Sequence, residues 1–91
     1  MTKTELIGRM AEAAGISRDQ AKLALEAFTD QVTGSLVQGR DVRLVGFGSF
    51  VAAERKAGVA RNPQTGQEIA RPASRTARFR PGEGLKSALN G

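Results

Sequence analysis

The chain has 91 residues, no cysteine, no histidine and a formal net charge of +5. This length predicts a single domain, and the missing thiols and imidazoles exclude disulfides, the usual zinc sites and catalysis by His or Cys. Because no apolar run approaches the length of a membrane span, we expect a cytoplasmic protein with no membrane role.

The positive charge is confined to the second half of the chain. Residues 1–50 carry six basic and six acidic side chains, whereas residues 51–91 carry eight basic and three acidic ones. Such a one-sided basic stripe is the electrostatic footprint of a polyanionic partner. A solvated face that only aids solubility remains an alternative at this point.

Two amphipathic helices are predicted at the start. Residues 2–5 (TKTE) have capping-box spacing, apolar residues then recur at helical spacing, and Gly15 is typical of a helix C-terminus. Residues 17–20 (SRDQ) form a second capping box, followed by a helix that runs to about Gly39. Groove reading by this second helix is disfavoured, because Asp19 and Glu26 would repel DNA phosphates.

A short strand and a tight turn follow. Val42 and Leu44 alternate with polar neighbours, which predicts a half-buried strand. Residues 46–48 (GFG) then predict a turn in which glycine allows close backbone approach. The turn lacks the glycine spacing and the lysine-bearing helix of a phosphate-binding loop. Phe50 begins the next strand.

Residues 51–78 contain no Phe, Leu, Met, Tyr or Trp, and too little apolar surface to pack a core. Their centre, residues 62–66 (NPQTG), is a run of turn formers. The pattern predicts a two-stranded ribbon that projects from a small body, with Arg61 facing Glu68 across it. The basic residues of this stretch are Arg55, Lys56, Arg61, Arg71, Arg75 and Arg78, and Arg80 lies two positions beyond it at the root of the strand.

The predicted fold class is α+β: a two-helix base, a three-stranded antiparallel sheet with a protruding β-ribbon arm, and a short C-terminal helix of about two turns. Within one domain covering residues 1–91, we place the body at 1–51 and 77–91 and the arm at 52–76. Fewer than ~70 residues then remain for the core, which is marginal for an isolated chain. Self-association is therefore expected.

Three blocks of sequence carry a family resemblance. Residues 45–50 (VGFGSF), 61–66 (RNPQTG) and 77–82 (ARFRPG), together with Arg55 and the amino end KTELI, resemble the signature of the HU/IHF family of bacterial histone-like DNA-binding proteins. The resemblance spans essentially the whole chain. Since the chain lacks the additional C-terminal residues common in IHF subunits, it is most similar to HU.

The resemblance implies an intertwined dimer that binds, bends and condenses double-stranded DNA in the bacterial nucleoid without sequence specificity. Its two arms would lie in the minor groove, and bent, nicked or flexible sites would be preferred. The partner chain would be a second copy or a paralogue, RNA is kept open as a secondary ligand, and no cofactor is implied.

The resemblance also implies site residues. Pro63 would be the wedge that enters between base pairs at the arm tip. The DNA-binding residues would be Lys3, Gly46, Gly48, Arg55, Lys56, Arg61, Asn62, Pro63, Gln64, Thr65, Arg71, Arg75, Arg78, Arg80 and Lys86. The dimer core would be Phe28, Leu36, Leu44, Phe47, Phe50 and Phe79.

Two residues depart from the family pattern. Gly58 stands where many members carry a basic or hydroxyl residue, and it is expected to remove a phosphate contact and loosen the strand. Glu83 stands where lysine is common; an acid suits a helix N-terminus but repels phosphate.

Other classes of function receive less support from the residues. No group of side chains is suited to acid–base or nucleophilic catalysis, so we do not expect an enzyme. The arm has no aromatic residue, which argues against a single-strand stacking platform or an aromatic RNA-recognition module. A basic, ribosome-associated module is the remaining alternative, and a preference for structured RNA over duplex DNA would favour it.

Overall fold

The computed structural model describes residues 1–91. Residues 1–34 and residues 35–91 form two compact units. The predicted α+β class is confirmed, with three helices, a three-stranded antiparallel sheet and a further hairpin. The elements are α1 (Lys3–Ala14), α2 (Arg18–Val37), β1 (Val42–Leu44), β2 (Gly48–Arg55), β3 (Gly58–Arg61), β4 (Glu68–Arg71), β5 (Ser74–Pro81) and α3 (Glu83–Asn90).

The first two helices begin and end where their capping residues predict. Thr2 Oγ1 accepts from the Glu5 N–H at 3.2 Å, and Gly15 ends α1 in the left-handed conformation with φ +68°. The second capping box is reciprocal: Ser17 Oγ accepts from the Gln20 N–H, and Gln20 Oε1 accepts from the Ser17 N–H, both at 3.0 Å. These bonds satisfy N–H groups that a helix start leaves without intrahelical acceptors.

The sheet has the order β1-β2-β5, and all its pairs are antiparallel. The β2–β5 ladder runs from Gly48↔Pro81 to Arg55↔Ser74. A second ladder, β3–β4, runs from Gly58↔Arg71 to Arg61↔Glu68 and keeps the same register. The predicted ribbon is therefore divided in two by an unpaired stretch at residues 56–57 and 72–73. Pro72 lies in this stretch and has no N–H to donate to a ladder.

The single chain buries very little apolar material. Its buried hydrophobic residues are Ala11, Ala21 and Val51, and no large side chain is fully buried. Phe28, Phe47 and Phe79 remain 40%, 48% and 39% exposed, and the other predicted core residues are half-buried: Leu36, Leu44 and Phe50. A chain with so small a core has little hydrophobic stabilisation of its own.

None of the helices is both long and apolar enough to cross a membrane.

Candidate nucleic-acid interface

The hairpin tip is closed by bonds of its own backbone. The Asn62 N–H donates to Gln67 O at 2.8 Å, and the Gly66 N–H donates to Asn62 O at 2.7 Å. Asn62 Oδ1 also accepts from the Gln64 N–H at 2.9 Å, which forms an Asx-turn. Gly66 has φ +71°, a conformation that glycine adopts without steric cost. These bonds present Pro63, which is exposed, at the turn.

Arg61 and Glu68 face each other where the hairpin meets its tip, as the sequence predicts. They are cross-strand partners, and Arg61 Nη2 lies 3.9 Å from Glu68 Oε1. Because the side chains are 73% and 69% exposed, water screens the pair, and it contributes less than ~1 kcal/mol. The pair leaves Arg61 accessible to an anion.

Gly58 has a packing role that its interpretation as a loosening residue missed. It lies opposite Arg71, and a Cβ at Gly58 would be 3.2 Å from Arg71 Nη2. The guanidinium of Arg71 thus lies against the β3 backbone, in space that glycine leaves open. Arg71 is half-buried, and its Nε is buried without a hydrogen-bond partner. Arg71 is therefore the least solvated of the predicted arm cations.

The register of the sheet places four arginines on the face opposite the phenylalanines. Residues directly opposite each other in an antiparallel ladder lie on the same face, and successive residues alternate between faces. One face carries Phe50 and Phe79, whose ring centroids are 5.1 Å apart, and the ring of Phe47 packs against that of Phe79 in a tilted arrangement at 5.3 Å. The other face carries exposed arginines and the buried Val51. These arginines are Arg43, Arg55, Arg78 and Arg80, which we call the arginine face.

Sequence reasoning missed Arg43. It pairs with Ser49, which in turn pairs with Arg80, so the arginine face extends to the edge strand β1. The signal was present in the alternation that placed Val42 and Leu44 on the apolar face, because the residue between them must lie on the opposite one.

Arg75 lies on the phenylalanine side of the sheet, apart from the arginine face. Its cross-strand partner is Glu54. Its guanidinium donates to two backbone carbonyls at the end of α2, Leu36 O and Val37 O. Of the predicted DNA-binding arginines, Arg75 is thus the one whose guanidinium donates to main-chain carbonyls.

The turn at residues 46–48 is held by close backbone contacts. The Gly82 N–H donates to Phe47 O at 2.8 Å, just before α3. A Cβ at Gly48 would lie 2.5 Å from Arg80 O and from the ring of Phe79, so glycine is required there by close approach. This agrees with the role expected for the glycines of this turn.

The remaining predicted residues are exposed and lie on different elements. Lys3 opens α1, Lys86 lies on α3, and Lys56 lies in the unpaired stretch between β2 and β3. The structure thus places the predicted cations along the arm, on the sheet and at two helices. No three carboxylates form a group that could hold a metal ion.

Comparison with known proteins gives a consistent result. Residues 1–90 match the family model described as "Bacterial DNA-binding protein". The protein named DNA-binding protein HU of Caulobacter vibrioides is 64% identical over 89 residues, covering 98% of this chain and 97% of the relative. DNA-binding protein HU-1 of Halalkalibacterium halodurans is 49% identical over 90 residues, covering 99% and 100%.

Solved structures agree with the sequence comparison. A cocrystal structure of Anabaena HU with DNA matches with a TM-score of 0.91 and 37% identity, covering 98% of this chain and 97% of that chain. HU from Thermotoga maritima matches with a TM-score of 0.69 and 30% identity, covering 98% of each chain.

Proposed function

This chain belongs to the HU/IHF family of bacterial DNA-binding proteins, and we propose that it bends double-stranded DNA by wedging Pro63 between base pairs. It is a nonspecific DNA-binding protein with an architectural role. The family is one of structural DNA-binding proteins rather than enzymes, so we propose that the chain has no catalytic activity and works in the cytoplasmic nucleoid.

The proposed contacts to the DNA backbone rest on one observation. The register places four exposed arginines on one face of the sheet. Guanidinium groups bind phosphate strongly, and a row of them follows a polyanionic backbone. The residues that we propose contact the DNA backbone are Lys3, Arg43, Arg55, Lys56, Arg61, Arg71, Arg78, Arg80 and Lys86, with the Gly46 and Gly48 backbone. Asn62, Gln64 and Thr65 would flank the wedge.

Pro63 suits a wedge for two physical reasons. Its ring is apolar, and without an N–H it enters an unstacked base step with no buried donor left unpaired. Architectural minor-groove proteins recover the unstacking cost, a few kcal/mol per step, through the contacts that bent DNA permits. The Asx-turn at Asn62 fixes the backbone beside the ring, which lowers the entropic cost of inserting it.

A dimer is typical of the family, and we propose that the exposed phenylalanines form its core. Phe28, Phe47 and Phe79 are each more than a third exposed in the single chain, and burying them in a second copy would supply the missing hydrophobic stabilisation. The melting temperature is then expected to rise with protein concentration. A concentration-independent melting temperature at monomer mass would contradict the dimer.

The wedge is tested by energy transfer between dyes on the ends of a duplex of about three helical turns. Wild type is expected to bring the ends together at saturation, whereas Pro63→Ala binds with less approach of the ends. Gln67→Ala, which is exposed on the same hairpin but outside the residues proposed to contact DNA, is the matched control and should bend like wild type. Saturable binding by wild type with no approach of the ends would show a protein that coats DNA without kinking it.

A further inference from the structure

Arg75 makes two hydrogen bonds to the backbone at the end of α2. Its Nη2 donates to Leu36 O at 2.6 Å, and its Nη1 donates to Val37 O at 3.1 Å. The two acceptors are adjacent carbonyls, and the planar guanidinium supplies two donors in a fixed fork. The contact joins β5 to a segment 38 and 39 residues earlier in the chain.

The end of α2 lacks a cation of its own. The last four carbonyls of a helix have no intrahelical donors and form the negative end of its dipole. The last turn of α2 contains no basic residue. Leu36 O accepts one further bond, from the Gly39 N–H at 3.0 Å. Arg75 therefore supplies from β5 the charge and the donors that this helix end lacks.

The position of Arg75 in the ladder gives this contact a mechanical consequence. Arg75 pairs with Glu54, the next pair outward is Arg55↔Ser74, and the ladder then ends at the unpaired stretch. The bonds to α2 thus anchor β5 one pair from the point where the hairpin leaves the sheet. The side chain lies on the face opposite the arginine face, so these bonds draw it away from the row of arginines proposed to meet phosphate.

We propose that Arg75 is a positioning residue. It fixes the direction in which the hairpin leaves the sheet by tying β5 to the C-terminus of α2, and it neutralises no phosphate. This inference rests on the DNA bending proposed above. It replaces the phosphate contact that the family resemblance implies for Arg75.

The test compares Arg75→Met, which keeps most of the aliphatic stem, with Arg78→Ala on the arginine face of the same strand. Both are measured as full-length dimers for salt dependence of affinity and for energy transfer at saturation. Log K falls as log [salt] rises, and each lost phosphate contact makes this negative slope shallower by ~0.9. Arg78→Ala is the reference for a lost phosphate contact and is expected to make the slope shallower by about that amount per subunit.

For Arg75→Met we expect an unchanged salt slope, unlike Arg78→Ala, and a clear loss of end-to-end approach at saturation. Arg75→Lys should restore part of the bend, because an ammonium can still donate to one of the two carbonyls. Carbonyl ¹³C shifts of Leu36 and Val37 should change in Arg75→Met without DNA, which provides a readout independent of binding.

Two results would overturn the assignment. One is a slope as shallow as that of Arg78→Ala together with a normal bend, which would make Arg75 a phosphate contact. The other is a lower melting temperature with both slope and bend unchanged, which would make its role structural only. Failure of wild type to bend DNA would instead reject the proposed function, so the two failures are distinguishable.

Discussion

The β2–β5 and β3–β4 ladders share one register but are stabilised differently. In β2–β5, Phe50 and Phe79 pair across the strands, and Phe47 adds a second ring contact. In β3–β4, no aromatic residue is present, and Val59 and Ile69 are more than half exposed. The outer ladder therefore depends on its backbone bonds, its turn and one exposed ion pair.

This difference shows how the two ladders can serve separate purposes. Packing of rings gives the inner ladder a stability that does not require a ligand. The outer ladder has little apolar burial, so it opens at low free energy unless something else orders it. In our proposal DNA provides that order. Substitutions in the inner ladder should therefore change global stability, and substitutions in the outer ladder should change local order and binding.

The largest effect is expected from Phe79→Ala. Its ring contacts both Phe47 and Phe50, and losing these contacts should lower the free energy of unfolding by about 3 kcal/mol. Ile69→Ala, on the outer ladder, is the control and should cost less than ~1 kcal/mol. Urea denaturation measures both. Equal losses would mean that the two ladders share one core.

Gly66→Ala should produce a smaller and local effect. Alanine in the left-handed conformation of Gly66 costs ~1 kcal/mol. This cost lowers the local stability of the hairpin tip. Amide exchange is expected to accelerate at Asn62 and Gly66, whose N–H groups form the tip bonds. Exchange in β2 should stay as in wild type. A matching acceleration in β2 would show that the ladders open together.

Pro72→Val tests the division between the ladders. Valine supplies an N–H and favours strands, so we expect the unpaired residues to join the ladders. The local free energy of opening should then rise by less than ~1 kcal/mol. Slower amide exchange at Lys56 and Ala57 would show that these residues have become paired. Exchange that stays as fast as in wild type would mean that Pro72 does not cause the interruption.

Glu68→Gln is expected to have the smallest effect on stability and a measurable one on binding. The ion pair with Arg61 is exposed, so the free energy of unfolding should change by less than ~0.5 kcal/mol. Removing an acid from a basic hairpin should strengthen DNA binding roughly twofold to fivefold at low salt. Glu12→Gln on α1 is the control for net charge, and an equal gain there would indicate a general charge effect.

Local features of this chain could be predicted from sequence because the interactions that cause them are local. The Thr2 cap, the reciprocal Ser17–Gln20 capping box, the left-handed Gly15 and the hairpin tip all form within a few residues. The division of the ribbon was missed, although Pro72 was a visible signal. The contact between Arg71 and Gly58 was missed because only the cross-strand register brings them together.

The sequence alone determined the order of the elements, the basic arm without a core, and the family. Composition and short-range spacing encode these features directly. The tertiary structure decided which face each cation occupies: Arg43 joined the arginine face, and Arg75 was drawn to the end of α2. Strand side chains alternate with a period of two, so a shift of one residue in register would reverse every assignment. Register is set by long-range pairing, and for Arg75 the two carbonyl partners lie 38 and 39 residues away.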